Sequence, residues 1–145
     1  MRVISGSARG TRLVDLGDAE VRPTLDQVKE SLFNQVGSDL TGISFLDMFA
    51  GTGSIGIEAL SRGAEQVVFV EQNSQAQSLI TRNLEKCRLT VENQTERWEL
   101  IKSDSLDSLS ILRGKGMVFD LIYVDPHFPK TFMGLVSPNY PIRLY

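Results

Sequence analysis

A glycine-rich segment in the middle of the chain sets the strongest limit on its fold. It runs DMFAGTGSIG from Asp47 to Gly56 and follows an apolar stretch. Glycine permits a tight turn and lets a ligand approach bare backbone, and a helix that starts after such a turn offers free N–H groups and the positive end of its dipole. The segment therefore predicts a turn from a strand into a helix, with a ligand site at the turn.

Strand and helix patterns alternate around this turn. Apolar runs rich in β-branched residues predict strands at 43–47, 67–71, 98–102 and 118–124, and apolar residues at helical spacing predict helices at 24–36, 54–62, 73–86 and 105–112. A capping box at Thr24 favours the start of the first helix there. Strands that alternate with helices indicate parallel pairing through right-handed crossovers. The predicted fold class is α/β and Rossmann-like, with a parallel central sheet.

The chain length of 145 residues predicts a single domain, 1–145, that is short for a complete doubly wound sheet. Within it we expect a basic N-terminal β-hairpin at 1–20 and a cofactor-binding core at 21–128. Residues 129–145 contain three prolines and show little periodicity, so we expect an irregular tail and a sheet truncated before its last strands.

Composition narrows the classes of partner. The formal charge is −3, which excludes the global positive field typical of many nucleic-acid binders, so any RNA contact must be local. Arg2, Arg9 and Arg12 lie in an N-terminal stretch without acidic residues and are the candidates for that contact. One cysteine and one histidine exclude an internal disulfide and disfavour a metal site. The sequence has neither a membrane-length apolar run nor a secretory pattern, and we expect a cytoplasmic monomer without metal.

The spacing of the glycine turn fits two kinds of cofactor. Gly51 and Gly53 begin a G-x-G-x-x-G pattern, and Glu71 follows Gly51 by 20 positions, as an acceptor for a ribose diol does in dinucleotide-binding folds. Asp47 discriminates, because a fixed negative charge before the turn repels a pyrophosphate and attracts the cationic groups of S-adenosylmethionine. Asp104, after the third strand, has two equal readings: an acceptor for an adenine amino group, or a helix N-cap.

The segment Asp125-Pro126-His127-Phe128 ends the fourth predicted strand. An exocyclic amine of a nucleobase is a poor nucleophile, because its lone pair is delocalised into the ring. The Asp125 carboxylate and the Pro126 carbonyl are two fixed acceptors that orient such an amine, and Phe128 would stack on the extruded base. A carboxylate offers acceptors only, which suits the donors on the Watson–Crick edge of guanine. The alternative is a strand-end turn followed by a core aromatic residue.

Four segments together resemble the RsmD family of bacterial methyltransferases, which use S-adenosylmethionine to methylate N2 of a guanine in small-subunit ribosomal RNA. They are RVISGSARGTRL at 2–13, RPTLDQVKESLFN at 22–34, the glycine turn with the following GIEALSRGA at 56–64, and the motif at 125–128. The resemblance implies cofactor contacts from Asp47, Phe49, Gly51, Gly53, Glu71 and Asp104. It also implies RNA contacts from the arginine-bearing hairpin and a place beside the active site for Arg22 and Thr24.

One difference from the family and two other functions complete the sequence-based predictions. The family has a second proline where this chain has His127, which we include among the substrate-binding candidates. The leading hypothesis is a ribosomal RNA guanine-N2 methyltransferase that acts on free RNA or on the small subunit. The alternatives are a non-catalytic remnant of the family that binds RNA or cofactor, and a nicotinamide-dependent oxidoreductase, which Asp47 opposes.

Overall fold

The computed structural model of the chain describes residues 1–15, 22–125, 134–137 and 140–144, with side chains for 1–15 and 26–125. A 3-10 turn, Thr95–Arg97, precedes the third strand. The helices and strands, in chain order, are α1 (Arg22–Val36), β1 (Ser44–Asp47), α2 (Ser54–Ser61), β2 (Gln66–Val70), α3 (Ser74–Lys86), β3 (Trp98–Ile101), α4 (Ser105–Gly114), β4 (Leu121–Val124), β5 (Gly134–Ser137) and β6 (Tyr140–Leu144).

The strands form one sheet in the order β3-β2-β1-β4-β5-β6. The pairs β1–β2, β2–β3 and β1–β4 are parallel, which confirms the predicted α/β class. After β1 the chain moves outward to β2 and β3 and then returns to the other side of β1, as β4. The carboxyl ends of β1 and β4 therefore flank the switch point at which α/β sheets bind ligands. In the described part of the chain, no helix is long and apolar enough to cross a membrane.

The two faces of the sheet are covered by different elements. Side chains of α1, α2 and α3 pack with Phe45, Val67 and Phe69 in one cluster, and Leu112 of α4 packs with Leu46 and Val68 on the opposite face. Helix α2 lies so close to β2 that a Cβ at Gly56 would overlap the Phe69 ring. That close packing fixes the start of α2 over the carboxyl end of β1.

Two predicted element starts are wrong by more than one residue. Helix α1 begins at Arg22, and Thr24 lies inside its first turn. The helix can include Pro23, because N–H groups in the first turn have no partner within the helix and proline lacks that group. Strand β4 begins at Leu121, whose partner is Phe45 near the start of β1. Asp120 still bonds to Ser44, the first residue of β1, but it lies outside the strand, and Val118 is 82% exposed.

The segment 129–145 was expected to be irregular, but it contains two strands. Strand β5 pairs antiparallel with β4, and β6 pairs antiparallel with β5. Each strand has at most five residues, too few to produce a clear sequence pattern. Pro141 is compatible with β6, because β6 is the last strand of the described sheet and an edge strand tolerates a missing N–H. Tertiary pairing thus decides the structure where local sequence does not.

Residues 1–13 form a hairpin as predicted, and residues 16–20 of the predicted hairpin lie outside the described residues. Arg2 pairs antiparallel with Arg12, and the N–H of Val3 donates to the Thr11 carbonyl at 2.9 Å. Val3 and Leu13 are buried, whereas both arginine side chains are exposed. The alternation places an apolar face on the domain and a basic face in solvent.

Helix α2 holds this hairpin through Glu58, a fully buried carboxylate. Its Oε1 accepts the N–H of Ile4 at 2.8 Å, and its Oε2 accepts the N–H of Ser5 at 3.1 Å. Lys29 Nζ lies 3.3 Å from Oε1 and Arg62 Nε lies 3.0 Å from Oε2. Two cations and two amides therefore compensate one buried charge.

Ser61, one turn further along α2, makes a second attachment. Its hydroxyl donates to the Ser5 carbonyl at 2.6 Å and accepts the N–H of Ala8 at 2.9 Å, and its carbonyl accepts the N–H of Ser7 at 2.8 Å. Gly6 lies between these contacts with φ +91°, and a Cβ there would overlap the Ser61 carbonyl oxygen. The hairpin can approach α2 this closely only with glycine at that position.

Substituting Gly6 by Ala should destabilise the protein more than the same change at Gly10. Both glycines have positive φ, +91° and +84°, but a Cβ at Gly10 meets nothing within 4 Å. We expect Gly10→Ala to lower the free energy of unfolding by about 1–2 kcal/mol for its backbone conformation alone, and Gly6→Ala by about 1–3 kcal/mol more for the overlap. Urea unfolding of the two variants checks this, and equal losses would show that the hairpin is not held against Ser61.

Candidate active site

Backbone hydrogen bonds hold the turn between β1 and α2. The N–H of Ala50 donates to the Val70 carbonyl at 2.9 Å, and the N–H of Gly53 donates to the Ala50 carbonyl at 2.8 Å. Gly51 and Gly53 have φ of +56° and +82°. A Cβ at Gly53 would lie 3.3 Å from the side chains of Ile57 and Ile80. The backbone conformation of the turn therefore favours glycine at both positions, and at Gly53 the tight packing favours it further.

Asp47 lies at the base of the turn and is 1% exposed. Its Oδ2 accepts the N–H of Gly56 at 3.3 Å, whereas its Oδ1 has no hydrogen-bond partner among the described residues. The pKa of Asp47 is raised to about 7, mainly by burial and in part by the charges of Glu71 and Asp125, while the backbone N–H groups of Gly56 and Phe49 act to lower it. A buried carboxylate with an unsatisfied oxygen is suited to a cationic ligand group.

Glu71 follows β2 directly and turns back to the glycine turn. Its Oε2 accepts the N–H of Gly51 at 2.7 Å and its Oε1 accepts the N–H of Asn73 at 3.0 Å. Its charge thus stabilises the turn. Each carboxylate oxygen has a second lone pair, so these two bonds leave acceptor capacity for a ligand hydroxyl.

Asp125 follows β4 and is 8% exposed. Tyr123, two residues earlier, pairs in register with Asp47 across β1 and β4. Because strand side chains alternate between faces, Asp47, Tyr123 and Asp125 lie on the same face of the sheet. The predicted cofactor acid and the predicted base-binding acid are therefore neighbours at the carboxyl ends of β1 and β4.

Phe49 and Asp104 are two more predicted cofactor residues, and the structure shows a structural role for each. Phe49 is partly buried and packs on the face of the sheet that α4 covers. Asp104 is the N-cap of α4, and its Oδ1 accepts the N–H of Asp107 at 2.7 Å. The N-cap reading of Asp104 is confirmed, and contact with an adenine stays a prediction.

The basic hairpin reaches the glycine turn through Lys29. Lys29 Nζ donates to the Arg2 carbonyl at 2.6 Å and to the Ser54 hydroxyl at 3.1 Å. Ser54 is the first residue of α2. The exposed Arg2–Arg12 pair therefore lies beside the helix N-terminus that borders the candidate cofactor site.

Asn83 makes a second connection between these two regions. It is fully buried on α3, its Oδ1 accepts the N–H of Val14 at 2.7 Å, and its Nδ2 donates to the carbonyls of Val14 and Thr52, each at 2.9 Å. The end of the hairpin segment is thus bonded to the glycine turn. Asn83 was not among the predicted site residues, although an amide next to Leu84, on the apolar side of a predicted helix, was a usable signal.

Several predicted site residues lie outside the described residues. They are Pro126, His127 and Phe128, together with the side chains of Arg22 and Thr24. Of the predicted motif at 125–128, the structure therefore places Asp125 alone.

Comparison with known proteins identifies relatives along most of the chain. The family model described as "Conserved hypothetical protein 95" matches residues 1–136. "Putative rRNA methyltransferase YlbH" of Bacillus subtilis is 40% identical over 88% of this chain and 67% of its own length. "Ribosomal RNA small subunit methyltransferase D" of Haemophilus influenzae is 38% identical over 88% of this chain and 64% of its own length.

A solved structure agrees with these matches. "Putative methyltransferase yhhF from Escherichia coli" superimposes with a TM-score of 0.70 at 28% identity and covers 90% of this chain and 65% of that one. The chain spans about two thirds of the length of these relatives. Together, the family model and the relatives show that the chain belongs to the RsmD family, as the resemblance in its sequence predicted.

Proposed function

We propose that this chain transfers a methyl group from S-adenosylmethionine to the exocyclic N2 amine of a guanine in small-subunit ribosomal RNA. The observation that carries the proposal is the pair of buried carboxylates, Asp47 and Asp125, at the ends of the adjacent strands β1 and β4. One acid would bind the cationic cofactor and the other the amine, and they are close enough that the charge of Asp125 raises the pKa of Asp47. The names of the relatives support both the reaction and the class of RNA.

The residues around the glycine turn fit S-adenosylmethionine better than a dinucleotide. Asp47, Glu71 and Asp125 together give this end of the sheet a negative charge, which attracts a ligand with ammonium and sulfonium groups and repels a pyrophosphate. The Oδ1 of Asp47, which has no hydrogen-bond partner among the described residues, would accept from the ammonium group. Glu71 would bind the ribose, and Asp104 would lie near the adenine. When bound, the cofactor supplies an electrophilic methyl group.

The chain's own contribution to the reaction is orientation. Asp125 would accept the hydrogens on the guanine edge and turn the lone pair of N2 out of the base plane, with the Pro126 carbonyl as the second acceptor. Phe128 and His127 would hold the extruded base. Arg2, Arg9 and Arg12 would bind phosphates of the RNA beside this site, with Arg22 and Thr24 near the base. A substrate of this kind places the enzyme in the cytoplasm.

Binding of S-adenosylhomocysteine should weaken as the pH falls through about 7, the pKa of Asp47. Below that pH the carboxyl group takes up a proton and no longer attracts the ammonium group. Calorimetry across this range should show the loss, which for one charge-assisted hydrogen bond is about 1.5–3 kcal/mol. Asp47→Asn should bind weakly at every pH and show no such dependence. Unchanged affinity in that variant would place the cofactor elsewhere.

The raised pKa of Asp47 also predicts how the stability of the Asp47→Asn variant differs from that of the parent. The pKa of Asp47 is raised, so between its usual value and about 7 the folded protein holds a proton that the unfolded chain releases, and stability falls as the pH rises through this window. Without ligand, Asp47→Asn should therefore be more stable than the parent above pH 7, by up to about 4 kcal/mol for the full shift. Urea unfolding at the two ends of the window measures this.

Asp125→Asn should abolish methyl transfer and leave S-adenosylhomocysteine binding nearly intact, because this carboxylate is assigned to the base. We expect a loss of about 100-fold or more with labelled methyl donor and small ribosomal subunits or naked rRNA. The control is Asp120→Asn, at the residue directly before β4. The Asp120 carboxylate accepts the N–H of Ser44, and Asn keeps an oxygen that can do the same. Cofactor binding by the parent without any transfer would favour the non-catalytic remnant, and NAD binding instead would favour the oxidoreductase.

RNA binding should depend on the exposed arginines of the hairpin. Replacing Arg2, Arg9 and Arg12 by Ala should weaken RNA binding and reduce the slope of log affinity against log salt by about 0.7–0.9 for each phosphate that the protein no longer neutralises. Arg113 is exposed on α4, which covers the face of the sheet opposite to the hairpin, and Arg113→Ala is the control for the loss of a positive charge elsewhere on the surface. An unchanged salt slope in the triple variant would make the hairpin purely structural.

A further inference from the structure

Tyr123 occupies a position between the two carboxylates of the proposed site. It is 5% exposed, pairs in register with Asp47 on β1 and precedes Asp125 by two residues on its own strand. All three side chains lie on the same face of the sheet. The ring belongs to the apolar cluster that contains Phe45 and Leu121. A phenylalanine would fill this place equally well, so the hydroxyl group needs a separate explanation.

The hydroxyl of Tyr123 forms a hydrogen bond with the Asp125 side chain. Burial raises the pKa of Tyr123 well above its ordinary value, and the charges of Asp125 and Asp47 raise it further. The phenol therefore keeps its proton at every pH at which the site works, and it is a permanent donor toward a carboxylate that can only accept.

This hydrogen bond makes the two acids unequal. Tyr123 bonds to Asp125, whereas the Oδ1 of Asp47 has no partner among the described residues. A carboxylate with one anchored oxygen loses much of its freedom to rotate, and its remaining acceptor positions have a fixed direction. The other carboxylate retains an open oxygen for a cation.

We propose that Tyr123 is a positioning residue for the transfer reaction. Its hydroxyl holds Asp125 in the orientation that accepts the hydrogens of the guanine amine and leaves Asp47 to the cofactor. The role rests on the proposed function and deepens it by separating the tasks of the two acids. Tyr123 makes and breaks no covalent bond and takes up no proton during the reaction.

The test is Tyr123→Phe, which removes one oxygen and keeps the ring in the core. With labelled methyl donor and small ribosomal subunits, we expect kcat to fall about 10- to 100-fold, because a misplaced orienting group acts on the transition state. The KM for the subunits and the affinity for S-adenosylhomocysteine should change less than about twofold, since the hydroxyl touches neither ligand. Retained binding of S-adenosylhomocysteine also shows that the variant is folded.

A double-mutant cycle measures the hydrogen bond without any catalysis. Urea unfolding of Tyr123→Phe, Asp125→Ala and the double variant should show coupling between the two positions, with the double variant less destabilised than the sum of the single ones, because either single change removes the hydrogen bond. Additive effects would mean that the hydroxyl does not hold Asp125 and would overturn the inference.

The activity data separate this inference from the function on which it rests. A parent chain that binds cofactor and RNA but never transfers methyl would overturn both. An active parent with a Tyr123→Phe variant of equal kcat would overturn the positioning role and leave the function intact. A Tyr123→Phe variant with a raised KM for the subunits and an unchanged kcat would assign Tyr123 to RNA binding and would also overturn the positioning role.

Discussion

The compensation of one buried negative charge holds the proposed site together. Glu58 has no exposed surface, and its two oxygens accept the N–H groups of Ile4 and Ser5 in the hairpin and bind a lysine of α1 and the arginine that follows α2. A buried carboxylate without partners would be severely destabilising, so the fold is complete only when all these groups meet. The hairpin, which supplies two of the partners of this charge and buries Val3 and Leu13, is therefore part of the domain core.

This arrangement places the proposed RNA-binding and cofactor-binding regions on shared supports. Lys29 contacts both the Arg2 carbonyl and the first residue of α2, and Asn83 contacts both Val14 and the Thr52 carbonyl. A displacement of the hairpin would thus strain the glycine turn. The distribution of charge follows the same division, because exposed arginines lie at one side of α2 and buried acids lie beneath its N-terminus.

Local sequence predicted the features whose causes are local. The glycines of the turn, the strand before it and the helix after it follow from backbone conformation and apolar periodicity, and these also placed Asp47 at the strand end. The strands of the segment 129–145 were missed because their stability comes from pairing with β4. Glu58 interrupts an apolar helix and was a visible signal of a buried charge, but its hairpin partners lie 53 and 54 positions earlier in the chain. No periodicity links residues that far apart.

Tyr123 illustrates a different limit. A tyrosine in an apolar strand usually indicates an amphipathic core residue, and the register between β1 and β4 was needed to place it beside two acids. Asp104 was correctly given two readings, because an aspartate that precedes a helix serves as an N-cap whether or not a ligand is near.

The attachment of the hairpin to α2 also sets an order of events during synthesis. The hairpin is made before the groups that bind it, because Glu58 and Ser61 follow its contact residues by more than 50 positions in the chain. Contacts of such long range form only after the chain between them has collapsed, because closing the loop costs entropy before any contact forms. The basic hairpin can therefore take up its place on the domain only after α2 has been made.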